Sequence, residues 1–243
     1  MANFLIVDVE ISPDIAYTFG NKWEVSVVDY KEYSHILGFS CKWLDGKQTS
    51  KTILDYKSER QMIKDLWVFF DTADLVIGWN SDKFDIKKIN TAFAKHGFPP
   101  PSPYKSVDLI KTVRGTFALP SNKLDDFLSY FDMRMKLENE KGIFIKCAEK
   151  DKKSLRQLKE YNANDTRITE DAFKFLRPWI KNLNVGIYFK GTVCAKCGEN
   201  KGFEKRGFYV TKTMKYQTYR CKGCGGQMKS PLNLRKIKPL VSV

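Results

Sequence analysis

The side chains whose types and settings suit chemistry are Asp8 and Glu10, Asp85, and Asp165 with Tyr161 four positions before it. They lie far apart in the chain, yet each sits where a local element could turn it into one shared pocket. Carboxylates gathered in that way hold hard divalent cations, and paired cations cut phosphodiesters. The flanking sequence supplies an element for each of them.

Asp8 and Glu10 close the apolar run Phe4-Leu-Ile-Val7, which predicts a central strand covered on both faces. Alternation along a strand puts both carboxylates on one side, about 7 Å apart along the axis. Two like charges there are costly unless a cation neutralises them, or unless both lie past the last paired residue and face water. Asp74-Leu-Val-Ile-Gly78 predicts a second strand, leading through a turn into an amphipathic helix with Phe84, Ile86, Ile89 and Phe93 inward. Asp85 then falls in a first helical turn beyond a strand's carboxyl end. Sites collect there in α/β sheets, and acids also cap helices there; Asp82 is the better candidate for a pure cap. Ser154 to Leu176 places Leu155, Leu158, Tyr161, Asp165, Ile168, Ala172 and Phe175 on one helical stripe. An ionised Asp165 on that stripe needs a partner, either a metal ion or the neighbouring phenol.

In this order, Asp8-Val-Glu10, Gly78-Trp-Asn-Ser-Asp-Lys-Phe-Asp85 and Tyr161-Asn-Ala-Asn-Asp165 resemble the motifs of the DEDD superfamily of 3′–5′ exonucleases, in its tyrosine-type (DEDDy) branch. The likeness is to the proofreading exonuclease domains of family B DNA polymerases and covers roughly residues 1–180. Ser106-Val-Asp-Leu-Ile-Lys-Thr112 and Ser121-Asn-Lys-Leu-Asp-Asp-Phe127 fall where that family has similar phrases. Ile11 departs from it, standing where a threonine commonly follows the glutamate. His35 and His96 lack the spacing of the histidine-type branch. The resemblance implies an α/β, RNase H-like fold with a mixed central sheet flanked by helices. It implies two Mg2+ or Mn2+ ions, one held by Asp8, Glu10 and Asp165, and a second shared by Asp8 and supported by Asp85. One ion would activate water and the other stabilise the leaving 3′-oxygen, with Tyr161 orienting or helping to deprotonate the water. It also implies that Asn80 and Phe84 meet the terminal nucleotides, although a turn-forming asparagine and a helix-anchoring phenylalanine are ordinary structural uses of both.

The net charge of +14 is concentrated at one end: residues 181–243 hold 14 Lys and Arg against 2 acids, and residues 1–180 hold 28 against 26. The length suits one full core plus a small accessory module. With no run of eighteen apolar residues and no charged-then-apolar leader, neither membrane insertion nor secretion is expected. The expected compartment is the cytoplasm, or the host cytoplasm for a viral chain.

Within the basic end lie Cys194-Ala-Lys-Cys197 and Cys221-Lys-Gly-Cys224, two knuckles separated by 23 residues, the spacing of a four-cysteine zinc site. Disulfides are the alternative, disfavoured in a cytosolic chain. Phe203–Val210 and Thr213–Arg220 predict the strands of a hairpin between the knuckles, giving a small all-β zinc ribbon around one structural Zn2+. Lys205, Arg206, Lys215 and Arg220, interleaved with Phe208, Tyr209, Tyr216 and Tyr219, suit phosphate contact and base stacking on single strands. The same aromatics would also serve as a miniature core, and docking onto protein is another use of a ribbon. Cys41 and Cys147 are expected to be ordinary thiols. Leu234 to Pro239 is expected to be a basic arm.

Ser34–Trp43 and Gln48–Tyr56 predict further strands, Ser58–Ala73 a helix capped by Ser58, and Lys141–Lys153 a loop beside the site. The reading is an exonuclease domain over 1–180, followed by a linker, zinc ribbon and arm over 181–243. The expected activity is release of nucleoside 5′-monophosphates from a 3′ end, of single-stranded DNA before RNA, alone or beside a replication or repair protein. The alternatives are an RNA-directed exonuclease of the same class and a catalytically inactive nucleic-acid-binding adaptor. The intact set of Asp8, Glu10, Asp85, Tyr161 and Asp165 argues against the adaptor.

Overall fold

The apolar run at Phe4–Ile11 forms β1, the middle strand of a five-stranded sheet. The computed structural model of the protein describes residues 2–20, 25–137, 140 and 142–235, so the arm expected over 234–239 lies outside the described residues from residue 236 on. Across the sheet the order is β5 (Gln48–Thr52), β4 (Ile36–Trp43), β1, β6 (Leu75–Gly78) and β7 (Lys105–Asp108). The β1–β4 and β4–β5 pairs are antiparallel, whereas β1–β6 and β6–β7 are parallel, so the sheet is mixed. The carboxyl ends of β1, β6 and β7 therefore share one edge.

Helices cover the sheet because its strands are apolar on both faces. On one face α1 (Glu59–Thr72) and α2 (Asp85–Lys95) bury Met62, Leu66, Phe70, Ile89 and Phe93 against Val7, Val9 and Phe39. Ser58 starts α1, its side chain accepting the Gln61 N–H. A second cluster joins Leu37 to Ile143 and Cys147 of α5 (Ile143–Ala148) and to Leu155 and Leu158 of α6 (Lys152–Leu176). Between these lie α3 (Leu109–Thr116) and α4 (Leu124–Tyr130).

Several elements differ from the sequence-based expectations. The stretch expected as a loop over Lys141–Lys153 holds α5: Ile143 and Cys147, one turn apart, bury a helical face, and Lys146, Lys150, Lys152 and Lys153 stay exposed. On α6 the apolar stripe ends on Leu176, fully buried, while Phe175 is 38% exposed; near a helix end a stripe can continue at three or four residues, and packing selects one. Phe84 precedes α2 but does not anchor it, being 47% exposed. Ile15–Gly20 (β2) and Val25–Glu32 (β3) form a separate antiparallel hairpin, exposed along nearly its whole length. No strand was expected there from the sequence, although Ile15, Tyr17 and Phe19 alternate with Ala16, Thr18 and Gly20 as strand residues do.

Asn3–Phe173 is one compact unit, and Lys174 onward belongs to a second. The second contains three antiparallel strands, β8 (Phe203–Val210), β9 (Lys215–Cys221) and β10 (Gln227–Asn233), in the order β10-β9-β8. The hairpin expected there gains a third strand whose Pro231 is tolerated because β10 is an edge. Among the described residues no helix is long and apolar enough to cross a membrane.

The turn after β6 folds tightly back on the strand. A Cβ added at Gly78 would stand 2.6 Å from Ser81 Cβ and 2.8 Å from its Oγ. Gly78→Ala is expected to cost about 1–3 kcal/mol, seen as a lower urea midpoint by circular dichroism. An unchanged midpoint would mean that the turn relaxes freely.

Candidate active site

Asp8 and Glu10 stand at the end of β1, with Val9 between them turned into the core. The Val9 N–H donates to Asp85 Oδ1 at 3.3 Å, which draws the first residue of α2 against β1. From the other side α6 brings Asp165, so that Asp8, Glu10 and Asp165 offer oxygens lying within 4.8 Å of one another. Asn162, on the same helix face, donates from Nδ2 to Asp8 Oδ2 at 2.5 Å and to Glu10 Oε1 at 3.5 Å. Lys136 reaches in with its Nζ 2.8 Å from Asp165 Oδ2 and 3.4 Å from the Tyr161 hydroxyl.

Crowding in a dry setting governs the electrostatics. Burial first, then the charges of Asp85, Glu10 and Asp165, holds the Asp8 carboxyl well above its ordinary range. Burial and Asp165 push Glu10 up to about 8. Burial lifts Asp85 to about 6, although the Val9 N–H opposes it. Asp165 is raised by burial too, against the pull of Lys136. Asp165 Oδ1 is buried and has no hydrogen-bond partner among the described residues. An all-oxygen cluster that resists its own charge and leaves a carboxylate oxygen unpaired fits a hard divalent cation.

The segment from Trp79 to Phe84 is shaped by Asp108 at the end of β7. Its Oδ1 accepts the N–H of Asn80 at 2.8 Å and of Ile110 at 3.3 Å, and its Oδ2 that of Asp82 at 3.4 Å. Asn80 is thereby held at φ 59°, a left-handed conformation that asparagine tolerates. Asp82 does not cap α2: its carboxylate is taken by Ser106 Oγ and Lys111 Nζ, and Phe84 stands at the cap with no side-chain bond. Asn80 lines a cavity of about 520 Å³ with Asp8, Asp165, Trp79, Arg114 and Lys136. Phe84 lines a different cavity that includes none of the four carboxylates.

The RNase H superfamily model matches residues 29–177, more than half of the chain. The chain belongs to the RNase H superfamily. Its mixed sheet flanked by helices is the RNase H-like fold, and proteins of that fold with nuclease activity use divalent metals, in keeping with the acidic cluster. Among solved structures it is similar to the family B DNA polymerase of the hyperthermophilic archaeon Pyrobaculum calidifontis, with a TM-score of 0.53 and 15% identity over 90% of this chain. The match covers 33% of that polymerase, so the chain spans about a third of its length. At that identity the likeness is one of fold. No curated protein matches the chain.

Outside the RNase H-like unit, Cys194, Cys197, Cys221 and Cys224 bring their sulfurs within 4.8 Å of one another. The Cys194–Cys224 and Cys197–Cys221 separations are 3.7 and 3.8 Å, far beyond a disulfide bond. Four thiolates around a tetrahedral zinc stand about 3.8 Å apart, from a Zn–S length of about 2.3 Å. The N–H groups of Lys196 and Gly226 point at Cys194 Sγ and Cys224 Sγ, at 3.3 and 3.4 Å. This small β unit therefore fits a zinc ribbon. On its strands Lys215 Nζ lies 3.8 Å from the Phe208 ring centre and Arg206 pairs with Glu204 at 2.9 Å, while Lys205 and Arg220 are exposed.

Three residues around the carboxylates escaped the sequence reading. Asn162 carries a usable signal, since it lies three positions before Asp165 on a helix. Lys136 and Asp108 carry none: one sits outside any periodic segment and the other looks like an ordinary helix cap.

Between its ordinary value of 4.5 and about 8, Glu10 keeps in the metal-free fold a proton that the unfolded chain has lost. Stability of the metal-free fold therefore falls as pH rises through that window. A divalent cation, which needs the ionised carboxylates, offsets this increasingly. Adding Mg2+ to the dialysed protein should raise Tm more at pH 8 than at pH 6, and Glu10→Gln should shrink the difference. Equal increments at both pH values would contradict the coupling.

Proposed function

We propose that this chain is a two-metal-ion 3′–5′ exonuclease of the tyrosine type that releases nucleoside 5′-monophosphates, from single-stranded DNA in preference to RNA. The observation that carries this reading is the convergence of Asp8, Glu10 and Asp165 oxygens within 4.8 Å, with Asp85 hydrogen-bonded to the same strand and Tyr161 one turn from Asp165. The RNase H-like fold supports a nuclease, and the similar structure being a DNA polymerase supports DNA and a setting beside replication or repair.

Asp8, Glu10 and Asp165 would hold one cation, and Asp8 with Asp85 a second. When bound, Mg2+ or Mn2+ would supply a lowered water pKa and charge neutralisation at the phosphate. The chain's own groups do the positioning. Asn162 fixes Asp8 and Glu10 from one side, and Lys136 fixes Asp165 from the other. Burial and the Asp165 charge push the Tyr161 phenol up to about 12, so at neutral pH it keeps its proton and orients water as a hydrogen-bond partner. Asn80, which lines the same cavity as Asp8 and Asp165, would meet the terminal nucleotide. In the second unit one Zn2+ would hold the four cysteines, and Lys205, Arg206, Lys215 and Arg220 would contact the strand's phosphates.

Digestion of 5′-labelled single-stranded DNA and matched RNA with Mg2+ or Mn2+ tests the reading. The expected result is a ladder shrinking from the 3′ end, faster on DNA. Asp8→Ala should abolish it, and Tyr161→Phe should slow it about 100-fold, the lower range for a group acting on the attacking water. Tight binding of either strand with no cleavage would instead make the chain an adaptor.

The zinc assignment is tested separately. Wild-type protein should carry one zinc per chain by elemental analysis, and Cys197→Ser should lose it along with the dispersion of NMR signals from residues 193–233. Retention of that dispersion in the zinc-free variant would mean that the strands fold without metal.

A further inference from the structure

The β2–β3 hairpin exposes Tyr17, Phe19, Val25, Val27, Val28 and Tyr30, a concentration of apolar side chains unusual on a two-stranded sheet with water on both sides. At its base opens a cavity of about 960 Å³. One wall is the hairpin and the residues after it, where Tyr30 and Tyr33 stack with ring centres 5.0 Å apart and Tyr33 stays 71% exposed. The cavity's lining also includes Lys83 and Phe84, just before α2, and Lys87 and Lys88 in its first turn. Ile11 also lines the cavity. Ile11 follows Glu10 and Phe84 precedes Asp85, so the lining is continuous in the chain with the carboxylate cluster at both places.

The charges are arranged for an anion along the start of α2. Lys83 and Lys87 are exposed and have no ion-pair partner among the described residues, while Lys88 donates to Ser34 Oγ at 2.8 Å. Of the acids that line the cavity, Asp14 accepts the Ser34 N–H at 2.6 Å, and Glu59 lies 3.8 Å from Lys95 Nζ and 3.2 Å from His96 Nε2; Glu32 is the third. Exposed aromatic rings and a row of lysines lining one cavity suit bases and phosphates of a single strand better than they suit a duplex or an apolar peptide.

We propose that the base of the hairpin and the start of α2 form the track for the single strand on the 5′ side of the nucleotide being removed, with Tyr33 stacking a base and Lys83, Lys87 and Lys88 meeting phosphates. The polarity rests on the exonuclease reading above. The smaller cavity, lined by Asp8 and Asp165, takes the terminal nucleotide, and the larger one takes the strand behind it.

The test uses the full chain carrying Asp8→Ala, so that oligonucleotides survive, and fluorescence anisotropy with a thymidine dodecamer and a trimer. Tyr33→Ser with Lys87→Ser should weaken the dodecamer about tenfold, the loss of one stacked base, and leave the trimer within about twofold. Lys83→Ser with Lys87→Ser, both on the surface and harmless to folding, should reduce the salt slope of dodecamer binding by about 1.4, or about 0.7 for each lysine. Unchanged dodecamer binding and salt slope would overturn the proposal and leave the surface to a protein partner; equal weakening of both oligomers would overturn it in favour of a general structural defect. Shortening of the dodecamer by the unmutated chain with Mg2+ reads the exonuclease separately. Its absence alongside hairpin-dependent binding would remove the nuclease and keep the strand track.

Discussion

Mutual repulsion among carboxylates taken out of water is the constraint on which this protein's architecture depends. Asp8, Glu10, Asp85 and Asp165 each lose hydration, and for Asp8 and Glu10 the neighbouring carboxylates raise the cost of ionising further. Such an arrangement persists only when the surrounding fold over-determines it. Here the supports are rigid: a strand in the middle of the sheet, the first turn of α2 bonded to that strand, and the long helix α6 with Asn162 as a clamp. Lys136 offsets part of the charge, and a cation would offset the rest.

The same logic extends outward to groups that never touch the cluster. Asp108 spends its carboxylate on three backbone N–H groups, two of them in the turn between β6 and α2. That turn decides where α2 begins, and hence where Asp85 lies. Gly78 and Ser81 pack so closely that the turn has little freedom to drift. Polar groups deeper in α6 are likewise matched, with Thr166 and Gln48 sharing Ser40. A site of this kind depends on neighbours held to a fraction of an ångström.

The second unit solves a different problem. Its three short strands enclose few buried side chains besides Cys194 and Cys221, too little apolar surface for a stable core. Four sulfurs at metal-binding separations supply the missing interaction. Lys196, in the first knuckle, buries its ammonium among the carbonyls of Ile180, Lys181 and Leu183, which ties the knuckle to the segment that precedes it.

Much of this was legible along the chain. The apolar run of β1, the helical stripe carrying Tyr161 and Asp165, and the paired Cys-x-x-Cys knuckles are local patterns whose spacing dictates geometry, so the motif residues could be named from sequence alone. The long-range choices could not. Lys136 meets Asp165, Asp108 shapes the turn at Asn80, and Phe84 is left exposed because of where distant segments pack, and no short-range period records that. The hairpin β2–β3 is the opposite case: Ile15, Tyr17 and Phe19 alternate with Ala16, Thr18 and Gly20, a local strand signal that was present and went unread, but only the fold shows that neither face enters the core. Sequence determined which groups could bind cations and which elements would present them, because those depend on spacing along one strand or helix. Only the tertiary structure decided which groups meet, how dry the carboxylates are and which surfaces beside them stay open, because each follows from the packing of elements far apart in the chain.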